Sequence, residues 1–235
     1  MINIDDLPEL LYEGQPSLPP QKDDLERLYK LIKNNFCVTV LEFGCGYSTF
    51  VIAKALEENK HDFESLENKP IVRNSNMFKC FSVDTNKRWA NEVESKLDSN
   101  LVNFFWSYAY ATKHEGQLCS YYRSLPDIIP DFIYLDGPDP AQVRDNQTLS
   151  IGWVKCKERT PMSGDILLIE STMIPGTFIL IDGRTNNARF LKNNLKRDWL
   201  ISQDGDTTLM YLNEPRLGKV NVIGRDILDT INDAT

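Results

Sequence analysis

The residues able to do chemistry gather at four places where an apolar run stops at an acid. The first is Glu42-Phe43-Gly44-Cys45-Gly46-Tyr47-Ser48-Thr49, after the short run CVTVL and before residues with helical spacing. Glycines at such a strand-to-helix turn permit positive φ and close approach of a ligand to the backbone. The helix that follows presents unpaired N–H groups to an anionic group, and Ser48 or Thr49 can cap those same amides. The second is Asp84, closing KCFSV, a carboxylate able to accept hydrogen bonds from two ribose hydroxyls or simply to start a turn. The third and fourth are Asp136 and Asp182, each followed by glycine. Either acid can serve as a general base or fix a hydroxyl, or the Asp-Gly pairs can simply make turns. Arg184 can grip an anion bidentately or pair with Asp182.

The elements that must carry these residues follow from periodicity. Residues 21–35 place Leu25, Leu28 and Ile32 on one helical face, and Phe50, Ala53 and Leu56 do the same after the glycine turn. A polar stretch, 57–77, reads as an inserted loop or irregular helix. Strand 79–83, a helix through Trp89, Val93 and Leu97, and one aromatic strand, VNFFWSYAYA, come next. Residues 113–130 read as loop with a short strand near 118–122. Strand 132–135 is followed by an excursion, 140–163, expected to be helical and to cover the site. A helix in GDILLIESTMI, strand TFILID, helix NARFLKNNLKR and a hairpin around Asp204-Gly205-Asp206 complete the pattern. Alternating strands and helices predict an α/β fold: a Rossmann-like, doubly wound, mostly parallel seven-stranded sheet ending in an antiparallel hairpin. Ligands of such sheets bind beyond the carboxyl ends of the strands, which is where Glu42, Asp84, Asp136 and Asp182 fall. The chain divides into an extended lead-in (1–20), one domain (21–213) and a tail (214–235) with a short helix near Ile227.

Composition narrows the classes. The chain has 235 residues, a formal net charge of −8 and a pI near 4.9, which disfavours nucleic acid as a partner. The five cysteines include no CxxC pair, so reduced thiols in a cytoplasmic protein are expected rather than a disulfide framework or zinc knuckle. The opening MINIDDLPELLYEG carries acids where a signal peptide would carry bases, and no run is long enough to span a membrane. Lead-in and tail leave room for a homo-oligomer. His61 reads as solvated, His114 as a candidate base, and the aromatics from Phe104 to Tyr110 as core.

Among cofactors, NAD asks for G-x-G-x-x-G, and Thr49 stands where the third glycine belongs. Asp84 lies 38 positions after Gly46, where the dinucleotide fingerprint expects about 20, and the polar insertion 57–77 accounts for the excess. S-adenosylmethionine has no pyrophosphate, and an acid before the glycines suits its amino group. EFGCGYST, SVDTN, DFIYLDGPDP and the terminal hairpin resemble a class I S-adenosylmethionine-dependent methyltransferase over residues 36–213. DFIYLDGPDP with PGTFILIDGRTNNARFLKNNLKR further resembles a little-characterised bacterial branch of that superfamily. The resemblance implies that Glu42, Gly44 and Gly46 line the methionine moiety and Asp84 the ribose. Tyr47, Ser48 and Thr49 complete the glycine-turn set, and Tyr108 is nominated near adenine. It also implies methyl transfer to oxygen, in preference to nitrogen, of a small-molecule acceptor, with Asp136, Asp182 and Arg184 as catalytic candidates. Mg²⁺ shared by Asp136 and Asp182 is an alternative, disfavoured because Gly183 stands where metal-dependent members carry Asn. The rival functions are a non-catalytic cofactor-binding protein and an NAD-dependent oxidoreductase.

Overall fold

The computed structural model describes residues 3–145, 162–216, 218 and 224–234. Two two-residue strands, β1 (Leu11–Tyr12) and β2 (Gln15–Pro16), precede α1 (Lys22–Asn34). Then come β3 (Thr39–Phe43), α2 (Tyr47–Glu64), β4 (Lys79–Asp84), α3 (Lys87–Lys96) and β5 (Val102–Trp106). A separate hairpin, β6 (Ala109–His114) and β7 (Gln117–Tyr122), leads to β8 (Phe132–Leu135). The chain ends with α4 (Asp165–Ile169), β9 (Phe178–Ile181), α5 (Thr185–Asn194), β10 (Trp199–Asp204), β11 (Thr207–Leu212) and α6 (Gly224–Ala234).

Seven strands form one sheet in the order β10-β11-β9-β8-β3-β4-β5. The five strands from β9 to the edge strand β5 run parallel, and β11 lies antiparallel between β9 and β10. Strand order reverses between β3 and β8, so the crevice opens where Phe43-Gly44 and Leu135-Asp136-Gly137 leave the sheet. Side chains alternate between two buried faces, as a covered parallel sheet requires. Val40, Phe132, Tyr134 and Leu180 face α1 and α2, whereas Leu41, Phe43, Ile133, Leu135 and Ile179 face α4, α5 and the β6–β7 hairpin.

Three expectations are corrected, and a fourth lies largely outside the described residues. The aromatic stretch from Val102 is two strands, not one: the chain turns at Ser107, whose hydroxyl accepts from Ser124 N at 3.1 Å. The second strand then folds back through Glu115-Gly116, both at positive φ, the geometry of a tight hairpin turn. The helix after the glycine turn runs to Glu64 instead of stopping near Leu56. Its polar second half is held to α1 by Lys33–Asp62 at 2.9 Å and by Asn59, which donates to the carbonyl of Ile32 at 3.3 Å and to that of Cys37, just beyond α1, at 2.9 Å. The lead-in is not simply extended. Leu10 is fully buried against Cys45, Phe50, Ala90 and Val93, which pulls the β1–β2 hairpin onto α3. Of the helical excursion expected over 140–163, only a short 3-10 turn at Pro140–Gln142 is seen, because residues 146–161 lie outside the described residues. The four described cysteines are buried and unpaired, and no helix among the described residues is long and apolar enough to cross a membrane.

Candidate active site

The turn after β3 is built from its backbone outward. Gly44 has φ +89°, and a Cβ there would come within 3.0 Å of the Gly137 nitrogen. Gly46 N donates to Thr49 Oγ1 at 3.0 Å, and Thr49 N donates to the Gly46 carbonyl at 3.1 Å, so α2 is capped by its own third residue. Glu42 stands behind this turn, not in a hollow. It is fully buried, on the α2 side of β3, and accepts hydrogen bonds from Ser48 (2.6 Å), Thr49 (2.7 Å) and Ser82 (2.5 Å). Burial pushes its carboxyl up to about 7 against the pull of those three hydroxyls.

Two other enclosed carboxylates share this condition. Burial raises Asp131, which accepts from Val38 N and Thr39 N, to about 6, and Asp165, which accepts from Tyr122 N and Ser163 Oγ, to about 7. Each group keeps its proton to higher pH in the folded chain than in the unfolded one, so folding takes up protons. Stability is therefore full near pH 4 and falls as pH rises towards 7. Melting at pH 5.5 is expected about 4 °C or more above that at pH 8.5, the equivalent of ~1–2 kcal/mol in a chain of this size. A flat calorimetric profile would mean that the hydrogen bonds hold all three ionised.

Asp84 ends β4 beside the same turn. Its carboxylate accepts from Cys45 N (3.1 Å) and Asn86 N (2.6 Å), and burial raises its pKa despite them. A carboxylate has about four lone-pair positions, so acceptor capacity remains for ligand hydroxyls. Trp89, in the first turn of α3, donates its indole N–H to the Cys45 carbonyl at 2.7 Å and walls the other side. The lead-in reaches this place: Tyr12 packs edge-on against Trp89 with ring centroids 5.8 Å apart, and Leu10 N donates to the Tyr47 hydroxyl at 3.2 Å.

Three adjoining hollows meet at Asp136. The largest, about 720 Å³, runs from Gly46, Tyr47 and Ser48 past Trp89 and Tyr134 to Asp182 and Asp206. A second, about 310 Å³, holds Gly44, Asp84, Gln142 and Arg184, and a third, about 370 Å³, lies between Asp136 and Asn187. Asp136 sits on the concave floor. Although its side chain is 57% exposed, the protein packed around it and the charge of Asp182 push its carboxyl upward, towards about 6, while Arg184 opposes the rise.

Arg184 is paired with Asp136 and not with Asp182, and it lines two of the hollows. Its Nη2 donates to the carbonyls of Asp136 (2.6 Å) and Pro138 (3.1 Å), and its Nε lies 3.5 Å from Asp136 Oδ1. Asp182 instead accepts from Thr207 (3.2 Å) and, at a long 3.4 Å, from the buried Tyr134 hydroxyl. Among the described residues no group of three or more His, Cys, Asp or Glu side chains is arranged to hold a metal ion. Tyr108 borders none of the three hollows. Its ring lies 4.5 Å from that of Trp106 and is covered by the Arg144 guanidinium at 3.2 Å. His114 is also remote, hydrogen-bonded to Tyr121 within the β6–β7 hairpin. Sequence reasoning missed Tyr12, Asp24, Asp139 and Asp206 as lining residues. Tyr12, Asp24 and Asp206 enter the cleft from distant parts of the chain, whereas Asp139 stands within DFIYLDGPDP, three residues after Asp136, and could have been nominated with it.

The sequence matches no family model and no curated protein. Solved structures of similar shape include the O-methyltransferase TomG of Streptomyces achromogenes in complex with SAM (13% identity, 86% of this chain and 85% of that chain, TM-score 0.48). A methyltransferase-like protein of Silicibacter pomeroyi is 15% identical over 92% and 97% of the two chains, with a TM-score of 0.47. An RNA methyltransferase of Salinibacter ruber with S-adenosyl-L-homocysteine is 12% identical over 86% and 99%, with a TM-score of 0.38. The strand order itself, five parallel strands reversing at β3/β8 and an antiparallel strand inserted before the last, gives this chain the Rossmann-like class I methyltransferase fold.

Proposed function

We propose that this protein is a methyltransferase that uses S-adenosylmethionine to methylate an oxygen of a small-molecule acceptor. The observation that carries the reading is the meeting of the glycine turn, Asp84 and Asp136 in one continuous cleft at the strand-order reversal. The residues present fit the cofactor. Gly46 leaves open space beside Trp89, Asp84 faces the position a ribose diol would take, and no third glycine is needed because there is no pyrophosphate. Thr49, enclosed and bonded to Glu42, cannot serve the close helix approach that NAD binding asks for. When bound, the cofactor supplies an electrophilic methyl group on a cationic sulfonium.

The chain's own part is to position and deprotonate. Asp136, ionised above about pH 6, takes the acceptor hydroxyl proton as oxygen attacks, and Arg184 holds the Asp136 loop through its two carbonyl contacts. Five carboxylates in the larger hollow oppose entry of a phosphate backbone, which favours a small molecule over nucleic acid.

Calorimetric titration with S-adenosylhomocysteine tests the reading. Micromolar binding is expected, weakened by about 2 kcal/mol in Asp84→Ala, the scale for losing charge-assisted hydrogen bonds. Asp84→Asn, which keeps the turn contacts better, should lose less. Absence of binding by the wild type would overturn the proposal. Binding without turnover, unchanged in Asp136→Ala, would make the protein a non-catalytic cofactor binder.

A further inference from the structure

The lead-in adds no strand to the seven-stranded sheet, yet it is fixed at the edge of the cleft. Leu10 is fully buried among Cys45, Phe50, Ala90 and Val93. Main-chain groups tie the chain down beside it. Leu10 N donates to the Tyr47 hydroxyl of α2 and Leu11 N to Glu92 Oε1 of α3, both at 3.2 Å. Ser17 N closes the loop on the Leu10 carbonyl at 2.8 Å. The turn between β1 and β2 is tight, with Glu13 and Gly14 both at positive φ. Tyr12 is thereby held at a set place.

That place is where two hollows join. The larger hollow and the smaller one with Gly44 and Asp84 share Tyr12, Cys45, Trp89, Asp136 and Asp139 as lining. Tyr12 meets Trp89 edge-on but keeps 40% of its surface exposed. Its hydroxyl accepts from Asn86 Nδ2 at a long 3.4 Å, and the Asn86 N–H donates to Asp84. The ring therefore stands one residue away from the carboxylate assigned to the ribose. A cofactor with its amino-acid end along Gly46, Tyr47 and Ser48 and its ribose at Asp84 must cross this junction. The part that crosses is the sulfur and the ribose carbon bonded to it.

Resting on the proposed use of S-adenosylmethionine, we infer that Tyr12 is a cofactor-contacting residue whose ring covers the sulfur-to-ribose segment. The β1–β2 hairpin is then the outer wall of the cofactor site, and it excludes water from the sulfur. Burying the open face of an aromatic ring against a ligand is favourable, and the Leu10 anchor means that little order has to be gained on binding.

Calorimetry on wild type, Tyr12→Ala and Tyr12→Phe tests the assignment with two ligands. One is S-adenosylhomocysteine; the other is methylthioadenosine, which keeps the sulfur and ribose but has no amino-acid end. Tyr12→Ala should weaken both about tenfold or more, through faster dissociation. Tyr12→Phe keeps the ring and should stay within about threefold. Both variants should melt within about 2 °C of wild type without ligand. Wild-type affinity in Tyr12→Ala overturns the inference. So does a loss confined to S-adenosylhomocysteine, which would put the ring on the amino-acid end. A second measurement needs no variant. Saturating S-adenosylhomocysteine should slow cleavage of the wild type after the exposed Glu13 by a glutamate-specific protease about fivefold or more. Equal cleavage with and without ligand also overturns the inference. If the wild type binds no S-adenosylhomocysteine, the cofactor reading itself falls; if it binds and Tyr12→Ala matches it, this assignment alone falls.

Discussion

A Gly137→Ala variant is expected to melt roughly 10 °C below the wild type, corresponding to about 3 kcal/mol of overpacking in a chain of this size. The added methyl would sit 2.6 Å from Gly44 N, 2.7 Å from the Phe43 carbonyl carbon and 2.8 Å from Gly44 Cα. All three are backbone atoms, so no rotamer change relieves the overlap. Neither strand end can retreat cheaply: Gly44 N donates to the Val83 carbonyl and Asp136 N to the Phe43 carbonyl, both at 2.9 Å. Relief means prising β8 from β3 where the crevice begins, and S-adenosylhomocysteine binding should weaken together with stability. Gly183→Ala is the control. It places a side chain at positive φ (+62°), a backbone strain that Gly137 does not carry, but its Cβ meets nothing within 4 Å, so only that backbone term of about 1 kcal/mol applies. Equal melting of the two variants would show that the approach of the two loops carries no energetic weight.

The second large effect is on rate. On an acceptor hydroxyl that the wild type methylates, Asp136→Asn should lower kcat roughly 10³-fold, within the range general-base catalysis contributes, while cofactor affinity changes little. The wild-type rate should fall as pH drops through about 6, because the base works only when ionised. In Asp136→Asn that acidic limb should vanish. Arg184→Met removes the group that opposes the rise of the Asp136 pKa, so its limb should move to higher pH. A wild-type acidic limb that persists in Asp136→Asn would place the base elsewhere, with Asp136 only orienting the acceptor.

The arrangement of the sheet was readable because each parallel strand is an apolar run that ends abruptly at an acid or glycine, and the topology rule puts ligands at those ends. Glu42, Asp84, Asp136 and Asp182 do lie at the ends of β3, β4, β8 and β9. What they face there was less legible. Strand alternation puts Glu42 on the same side as Val40, towards α2, and the hydroxyls at Ser48, Thr49 and Ser82 are its natural partners. That grouping depends on a contact 40 residues away in sequence, across the β3–β4 pairing. Arg184 shows the same limit, since its partners are carbonyls 46 and 48 residues upstream and main-chain acceptors leave no trace in residue types. The lead-in gave no periodic signal because its two strands are two residues each. Only the burial of Leu10, decided by α2 and α3, brings Tyr12 over Trp89.

The β6–β7 hairpin is bonded on both outer edges to the chain on either side of the 146–161 stretch. Ala111 N donates to the Arg144 carbonyl along one edge, and Ser120 N donates to the Met162 carbonyl along the other. Doubling the length between them would add only about 0.6 kcal/mol of closure entropy. Because the ties at Arg144 and Met162 are made by main-chain groups, the hairpin sets the spacing of the two anchors whatever side chains they carry.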